Sequence, residues 1–205
     1  METYEALRRR RMVRSFDDRP LTPEVLARVL EAGRRAPSAG FTQGVDLLVL
    51  ESDADRQAFW DAETDPGWRD AHPRHEATRR AAAIVLPLTG PSPYVERYSE
   101  PDKAGAGLHE EGAWPVPYWW VDAGCAVMAM LLAAVEEGLG ALFMGLFRGE
   151  EGVRRACGVP GDLRPVGAVL LGWPAQDTPG PSLARGRRER GAQVHAGRYG
   201  VAWRG

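Results

Sequence analysis

The chain has 205 residues, of which 44% are hydrophobic, so it is long enough for one substantial core, and we expect a single domain over residues 1–205. Its formal net charge is -2 and its pI is about 6.1, which disfavours a protein that binds nucleic acid through overall basicity. Arg8–Arg11 precede any apolar run and no small-residue cleavage site follows, so we expect no secretory signal and a cytoplasmic protein.

The first two predicted elements are helices. Residues 2–11 are expected to form a short helix with Tyr4 and Leu7 on one side. Thr22 is a good N-cap and Pro23 suits the first position of a second helix. That helix should end before Pro37, because a residue that precedes proline is disfavoured in the α conformation.

Three short runs rich in valine, leucine or isoleucine are predicted as strands, and they alternate with helices in a mixed order. They are Val45–Glu51, Ala82–Leu88 and Val166–Gly172.

Residues 88–117 are expected to form a long loop, because many prolines and glycines occur there and the segment exceeds the usual length of a connection. Two interpretations stay open: a surface loop anchored by its aromatic residues, or a lid over a substrate pocket.

The longest predicted helix is Val121–Glu137, which is apolar almost all the way round and must therefore be buried on several sides. Its apolar run is shorter than the roughly 20 residues that cross a bilayer, so we expect no membrane span. A core helix or a helix in a dimer interface fits better. Gly138 and Gly140 end it, and a short helix over Glu150–Ala156 follows.

The sequence contains no dinucleotide-binding glycine motif, no P-loop, no nucleophile elbow and no zinc-protease motif. His72 and His75 flank a proline in a polar stretch, and no metal site is expected there. Cys125 and Cys157 do not form a CxxC pair and are interpreted as reduced and buried. No set of catalytic side chains is evident, which favours chemistry supplied by a bound cofactor.

Several segments, in order, resemble the nitroreductase family, and together they cover nearly the whole chain. They are Arg10–Phe16 with Pro20 and Leu21, Arg35–Gln43, Ala133–Gly140, Gly158–Pro160, Val166–Pro174 and Arg185–Arg188. Each segment alone is a weak signal, but the ordered set is fairly specific.

The resemblance implies an α+β (mixed α/β) fold with a central, mostly antiparallel sheet flanked by helices, in an intertwined homodimer that binds two FMN molecules at its interface. It also implies an oxidoreductase that transfers hydride from NADH or NADPH through flavin N5 to an organic acceptor, such as a nitro compound or a quinone, by a ping-pong mechanism.

The resemblance assigns the cofactor contacts residue by residue. Arg10, Arg14, Arg185 and Arg187 suit the FMN phosphate, since arginine can bind it through paired, charge-assisted hydrogen bonds. Ser38 and Gln43 correspond to residues at the polar edge and ribityl chain, and backbone N–H groups near Gly145 correspond to donors beside N5. The implied cofactor-binding residues are Arg10, Arg11, Met12, Arg14, Pro37, Ser38, Ala39, Phe41, Gln43, Gly145, Leu146, Arg185 and Arg187.

Aromatic residues are candidates to stack on a flat substrate, although core or interface packing is an equal alternative for them. They are Phe41, Trp114, Tyr118, Trp119 and Trp120.

Three sites depart from the family pattern: Phe41 replaces an asparagine, Met12 replaces a common serine, and Gly44-Val45 stands where a Pro-Trp pair is frequent. A phenyl ring cannot make the hydrogen bonds of an amide. Two alternatives therefore stay open, a flavin-dependent oxidase or dehydrogenase that uses oxygen and a non-catalytic FMN-binding protein. A third alternative is a module that binds nucleic acid or an acidic partner through Arg8–Arg14.

Lys103 is the only lysine among the 26 lysine and arginine residues, so arginine is common throughout this sequence. A cluster of arginines is therefore weaker evidence for a binding site than it would be in a protein of ordinary composition.

Overall fold

The computed structural model describes residues 1–63, 74–176 and 184–204, and its centre is a five-stranded antiparallel sheet. The strands are β1 (Val45–Leu50), β2 (Ala83–Thr89), β3 (Gly140–Met144), β4 (Arg164–Pro165) and β5 (Ala168–Gly172). Their order is β1-β2-β5-β3, and the short β4 pairs with β2. This architecture confirms the α+β class and the antiparallel sheet that the sequence predicts.

Helices cover both faces of the sheet. They are α1 (Thr3–Arg9), α2 (Pro23–Arg34), α3 (Asp53–Glu63), α4 (Arg74–Arg79), α5 (Ser92–Ser99), α6 (Tyr118–Glu136) and α7 (Glu150–Ala156). Single 3₁₀ turns occur at Ala39–Phe41, Ala104–Ala106, Glu111–Ala113 and Arg190–Ala192.

Every residue of β2 is buried, because the strand lies between β1 and β5 and both of its faces are covered. Successive side chains of a strand point to opposite faces, so Ile84 and Leu86 join one core and Ala83 and Val85 join the other. The first core also contains Phe59 and Trp60 of α3 and Val153 of α7. The second core contains Val29 of α2 and Val127 and Met130 of α6.

Helix α2 begins as predicted. The Thr22 hydroxyl oxygen accepts a hydrogen bond from the Val25 N–H at 3.4 Å, and Pro23 occupies the first turn. Helix α7 has the predicted bounds, and the three predicted strands correspond to β1, β2 and β5 within two residues at each end.

Residues 88–117 differ from the expected loop. The segment contains the last residues of β2, the helix α5 and two 3₁₀ turns, and Tyr94 and Trp114 anchor it in a buried aromatic cluster. Tyr118, Trp119 and Trp120 belong to the first turn of α6, which begins three residues earlier than expected. Strands β3 and β4 and helices α3 and α4 were not predicted. His72 lies outside the described residues.

Helix α6 is long and apolar enough to meet a length-and-composition criterion for a membrane span, with 44% of the apolar window buried inside the protein. It packs along α2 and against the sheet. The core helix of a soluble protein meets the same criterion, so the position of α6 in the core accounts for its apolar composition.

Candidate functional site

The first predicted site segment, Arg10–Arg14, lies along the outer edge of β3. Met12 forms a parallel bridge with Ala141, and the Val13 N–H donates to the Ala141 carbonyl at 2.9 Å. The Phe143 N–H donates to the Met12 sulfur at 3.4 Å. This pairing covers an edge that would otherwise expose unpaired backbone groups. It also places Met12 close to the end of β3, which continues into Gly145 and Leu146.

Arg10 and Arg11 of this segment are available to an anion. Arg11 and Arg14 are exposed and Arg10 is half-buried. Within the described parts of the chain, no carboxylate forms an ion pair with Arg10 or Arg11. Arg11 also lines a pocket of about 250 Å³ beside the end of α6. The donor set therefore suits a phosphate group.

The second predicted site segment is the turn over residues 38–43, which we call the 38–43 turn. Its ends are tied together, since the Ser38 hydroxyl oxygen accepts from the Gln43 N–H at 2.9 Å. The Thr42 hydroxyl donates to the Ala39 carbonyl at 2.5 Å. Phe41 is 75% exposed, so its ring is available to a ligand or to another chain.

A buried carboxylate lies under the turn. Asp122 of α6 is 5% exposed, and its Oδ2 accepts from the Ala39 N–H and from the Tyr94 hydroxyl, both at 2.8 Å. Burial, and then the hydrogen bond to Asp122, raises the pKa of Tyr94 above its ordinary value, so the hydroxyl stays protonated as a donor. Ser38, Gln43 and Asp122 line a pocket of about 200 Å³ between the turn, β1 and α6.

The two segments contact different parts of α6. Arg11 and Val13 lie beside Leu131 and Val135, whereas the 38–43 turn lies beside Asp122. At 1.5 Å of rise per residue, Asp122 and Val135 are about 20 Å apart along the helix. One chain thus presents two separate groups of the predicted cofactor residues.

The predicted substrate residues divide into two sets. Trp114 and Trp119 are buried and pack edge to face, with ring centroids 6.0 Å apart, and the Trp114 indole N–H donates to the Leu108 carbonyl at 3.0 Å. Core packing, which the sequence left open, thus accounts for these two residues. Tyr118 is 42% exposed and Trp120 is half-buried, so both retain surface that a ligand can contact.

Arg185 and Arg187 are exposed in the C-terminal segment. The backbone hydrogen bonds of the described residues 184–204 all join residues of this segment to one another, and they lie between Glu189 and Trp203. Among the described residues, no backbone hydrogen bond joins this segment to Arg10–Arg14.

Sequence reasoning missed Asp122, Tyr94 and Arg97 as residues that shape the site. A carboxylate in the second turn of an otherwise apolar helix was the available signal, because a buried charge must be compensated by hydrogen bonds. Its partners are 83 and 28 residues away and left no local pattern.

The profile of the nitroreductase family matches residues 7–173. A protein of Methanothermobacter thermautotrophicus, named for NADH dehydrogenase and NAD(P)H nitroreductase activity, is 26% identical over 181 residues, which are 86% of this chain and 80% of that protein. An NADPH-dependent oxidoreductase of Staphylococcus aureus is 22% identical over 184 residues, which are 89% of this chain and 68% of that protein.

Solved structures share the fold. NfrA1 of B. megaterium superimposes with a TM-score of 0.73 at 17% identity, covering 96% of this chain and 74% of its own. A nitroreductase family protein from Clostridium novyi NT gives 0.67 at 18% identity, covering 99% and 97%. A nitroreductase-like protein from Desulfovibrio desulfuricans, in complex with FMN, gives 0.64 at 25% identity, covering 92% and 97%.

Proposed function

The chain belongs to the nitroreductase family of FMN-dependent oxidoreductases, and on that premise we propose that it transfers hydride from NADH or NADPH to a flat organic acceptor in a ping-pong cycle. The observation that carries the proposal is the family match over residues 7–173, which includes the Arg10–Arg14 segment, the 38–43 turn and the end of β3. A nitro compound or a quinone is the acceptor class that we propose.

FMN supplies the redox chemistry when bound, because its N5 accepts and returns hydride. The chain's own groups bind and orient it. We propose that Arg10, Arg11 and Arg14, with Arg185 and Arg187, hold the phosphate through charge-assisted hydrogen bonds. Backbone N–H groups at Gly145 and Leu146 orient the reactive edge of the ring without requiring a particular side chain.

The 38–43 turn contributes polar and apolar contacts in this proposal. Ser38 and Gln43 face the ribityl chain and the polar ring edge, Pro37 and Ala39 pack against the flavin, and Phe41 forms a wall of the acceptor pocket. Tyr118 and Trp120 supply further aromatic surface to a flat substrate. No side chain is assigned as a catalytic acid or base, and protons come from water.

We propose a homodimer in which each FMN is bound by both chains. Two observations support it. The 38–43 turn and the Arg10–Arg14 segment contact parts of α6 that are about 20 Å apart, so two chains can combine them into one site. Apolar side chains on α1 and α6 are also exposed, namely Tyr4, Leu7, Tyr118 and Val121.

We place the protein in the cytoplasm, with no nucleic-acid or membrane partner.

The direct test is the visible spectrum of the purified protein without oxygen, before and after addition of NADH or NADPH. Bound FMN that bleaches is the expected result. Chromatography of the released chromophore identifies it. Arg11→Ala is expected to lower the FMN content, whereas Arg155→Ala, which changes an arginine 72% exposed on α7, should leave it unchanged.

Two outcomes contradict the proposal in different ways. FMN that stays oxidised with both nicotinamides overturns the reductase and favours the oxidase or the non-catalytic flavoprotein. A colourless protein that does not take up added FMN overturns flavin-dependent function altogether.

A further inference from the structure

The 38–43 turn holds its backbone in an unusual conformation. Gly40, Phe41 and Gln43 have φ values of 62°, 54° and 54°. This left-handed region is unfavourable for residues other than glycine, and such conformations persist only where the surrounding contacts determine them. The contacts that hold this turn come from α5 and α6.

Helix α6 holds the start of the turn through Asp122. Its Oδ2 accepts from both the Ala39 N–H and the Tyr94 hydroxyl, and the side chain is 5% exposed. Hydrogen bonds to a buried carboxylate are stronger than those between neutral groups. Without this acceptor, the Ala39 N–H and the Tyr94 hydroxyl lose the partner that the structure gives them.

Helix α5 holds the middle of the turn. The Arg97 Nε–H donates to the Gly40 carbonyl at 3.0 Å, and two bonds of 2.7 Å to Asp102 fix the same guanidinium. The Tyr98 ring is so close to Gly40 that a Cβ atom there would lie 2.7 Å from its Cε2. The turn is therefore clamped between the two helices.

The outer face of the turn is open. Pro37, Phe41 and Gln43 are exposed, while the groups that fix the backbone lie beneath them. A surface that is rigid before binding loses little conformational freedom when a ligand arrives. This arrangement suits a turn that supports a planar ligand.

We propose that Asp122 is a positioning residue for FMN. By accepting hydrogen bonds from Ala39 and Tyr94, it holds the 38–43 turn in the conformation that binds the flavin. The inference rests on the proposed function, since the contact between the turn and FMN is itself part of that proposal. Asp122 acts through the turn and is not assigned a contact with the reacting atoms.

The test measures FMN affinity and fold stability separately in Asp122→Ala and Asp122→Asn. An amide oxygen can accept two hydrogen bonds, so Asp122→Asn should keep the Kd for FMN within about threefold of the wild type. Asp122→Ala should raise the Kd about tenfold or more and change the visible circular dichroism of bound FMN. Fluorescence titration gives the Kd, and thermal melting of the FMN-free protein gives the stability.

Two results would overturn the inference. One is an Asp122→Ala protein that melts at a lower temperature yet binds FMN with the wild-type Kd where it is folded, which is the behaviour of a purely structural residue. The other is an Asp122→Asn protein that loses as much FMN affinity as Asp122→Ala. An acceptor oxygen at position 122 would then not be sufficient to hold the turn in its binding conformation.

A second variant decides the question if Asp122→Ala does not fold. Tyr94→Phe keeps the ring in its cluster and removes the hydroxyl that donates to Asp122. A Kd raised about fivefold or more then supports the inference, and a Kd within about threefold of the wild type overturns it. A wild-type protein that does not bind FMN contradicts the proposed function. If the wild type binds FMN and Asp122→Ala, or Tyr94→Phe in its place, binds it equally well, only this inference is contradicted.

Discussion

Phe41 combines a left-handed backbone conformation with an exposed ring. Its φ is 54° and it is 75% exposed, so the ring contributes little burial to the fold. Asparagine tolerates this region better than most residues, whereas a β-branched residue is a clear outlier there. Asparagine, which the resemblance implies at this position, is therefore also a residue that this backbone conformation tolerates well.

We predict that Phe41→Asn leaves the free energy of unfolding of the FMN-free protein unchanged or slightly higher. Phe41→Val should lower it by about 1–2 kcal/mol, because valine is strained in this conformation. Urea unfolding of both variants checks the prediction. Equal destabilisation by asparagine and valine would show that the ring, rather than the backbone, determines stability at this position.

At the scale of elements, one ion pair joins α7 to β4. Arg164 donates two hydrogen bonds to Glu150, at 2.7 and 2.8 Å. The hydrogen bonds from Arg164 lower the pKa of Glu150 below its ordinary value, more than its partial burial raises it. The pKa of Glu150 is therefore lower in the folded protein than in the unfolded chain, where it is about 4.3. The ion pair stabilises the fold at pH values above about 4.3, and this stabilisation is lost as the pH falls through the pKa of the folded protein.

We predict that Glu150→Gln lowers the free energy of unfolding near neutral pH by roughly 0.2–1 kcal/mol. The difference from the wild type should shrink as the pH falls below about 4. Urea unfolding across this range checks it. Glu96→Gln is the control, since Glu96 is exposed on α5, forms no ion pair among the described residues and should show no measurable effect. A difference that persists at the lowest pH contradicts the role of the ion pair.

At the scale of the whole molecule, the proposed shared cofactor sites would link FMN binding to assembly. If each FMN contacts two chains, dilution that dissociates the dimer must also release FMN. We therefore predict that flavin absorbance sediments with the dimer in analytical ultracentrifugation and is lost from the monomer.

Val121→Glu is expected to shift the protein towards monomer and to lower its FMN content, because it places a charge on exposed apolar surface of α6. Ala58→Glu, at an exposed position of α3, is the control and should change neither property. A Val121→Glu protein that stays dimeric shows that this face of α6 is outside the interface, and a monomer that retains FMN contradicts the shared site.

Local signals in the sequence were sufficient for several elements. Thr22 and Pro23 specify the start of α2 because capping depends on neighbouring residues alone. Strands β1, β2 and β5 were predicted because branched apolar runs bounded by turn residues are local patterns. Strand β3 was missed because it begins at Gly140, one of the two glycines interpreted as the end of α6. Helix α5 was missed because prolines and glycines dominate its surroundings.

The sequence by itself determined the apolar helix α6 through its composition, and the fold class and the family through its resemblance to the nitroreductase family. Apolar runs, capping residues and short motifs can all be identified in the chain without a structure. Only the tertiary structure decided that Ala39 and Tyr94 meet at Asp122 and that Trp114 and Trp119 are buried together. These contacts depend on how α5, α6 and the 38–43 turn pack, and hydrogen bonds between residues distant in the chain leave no periodicity in the sequence.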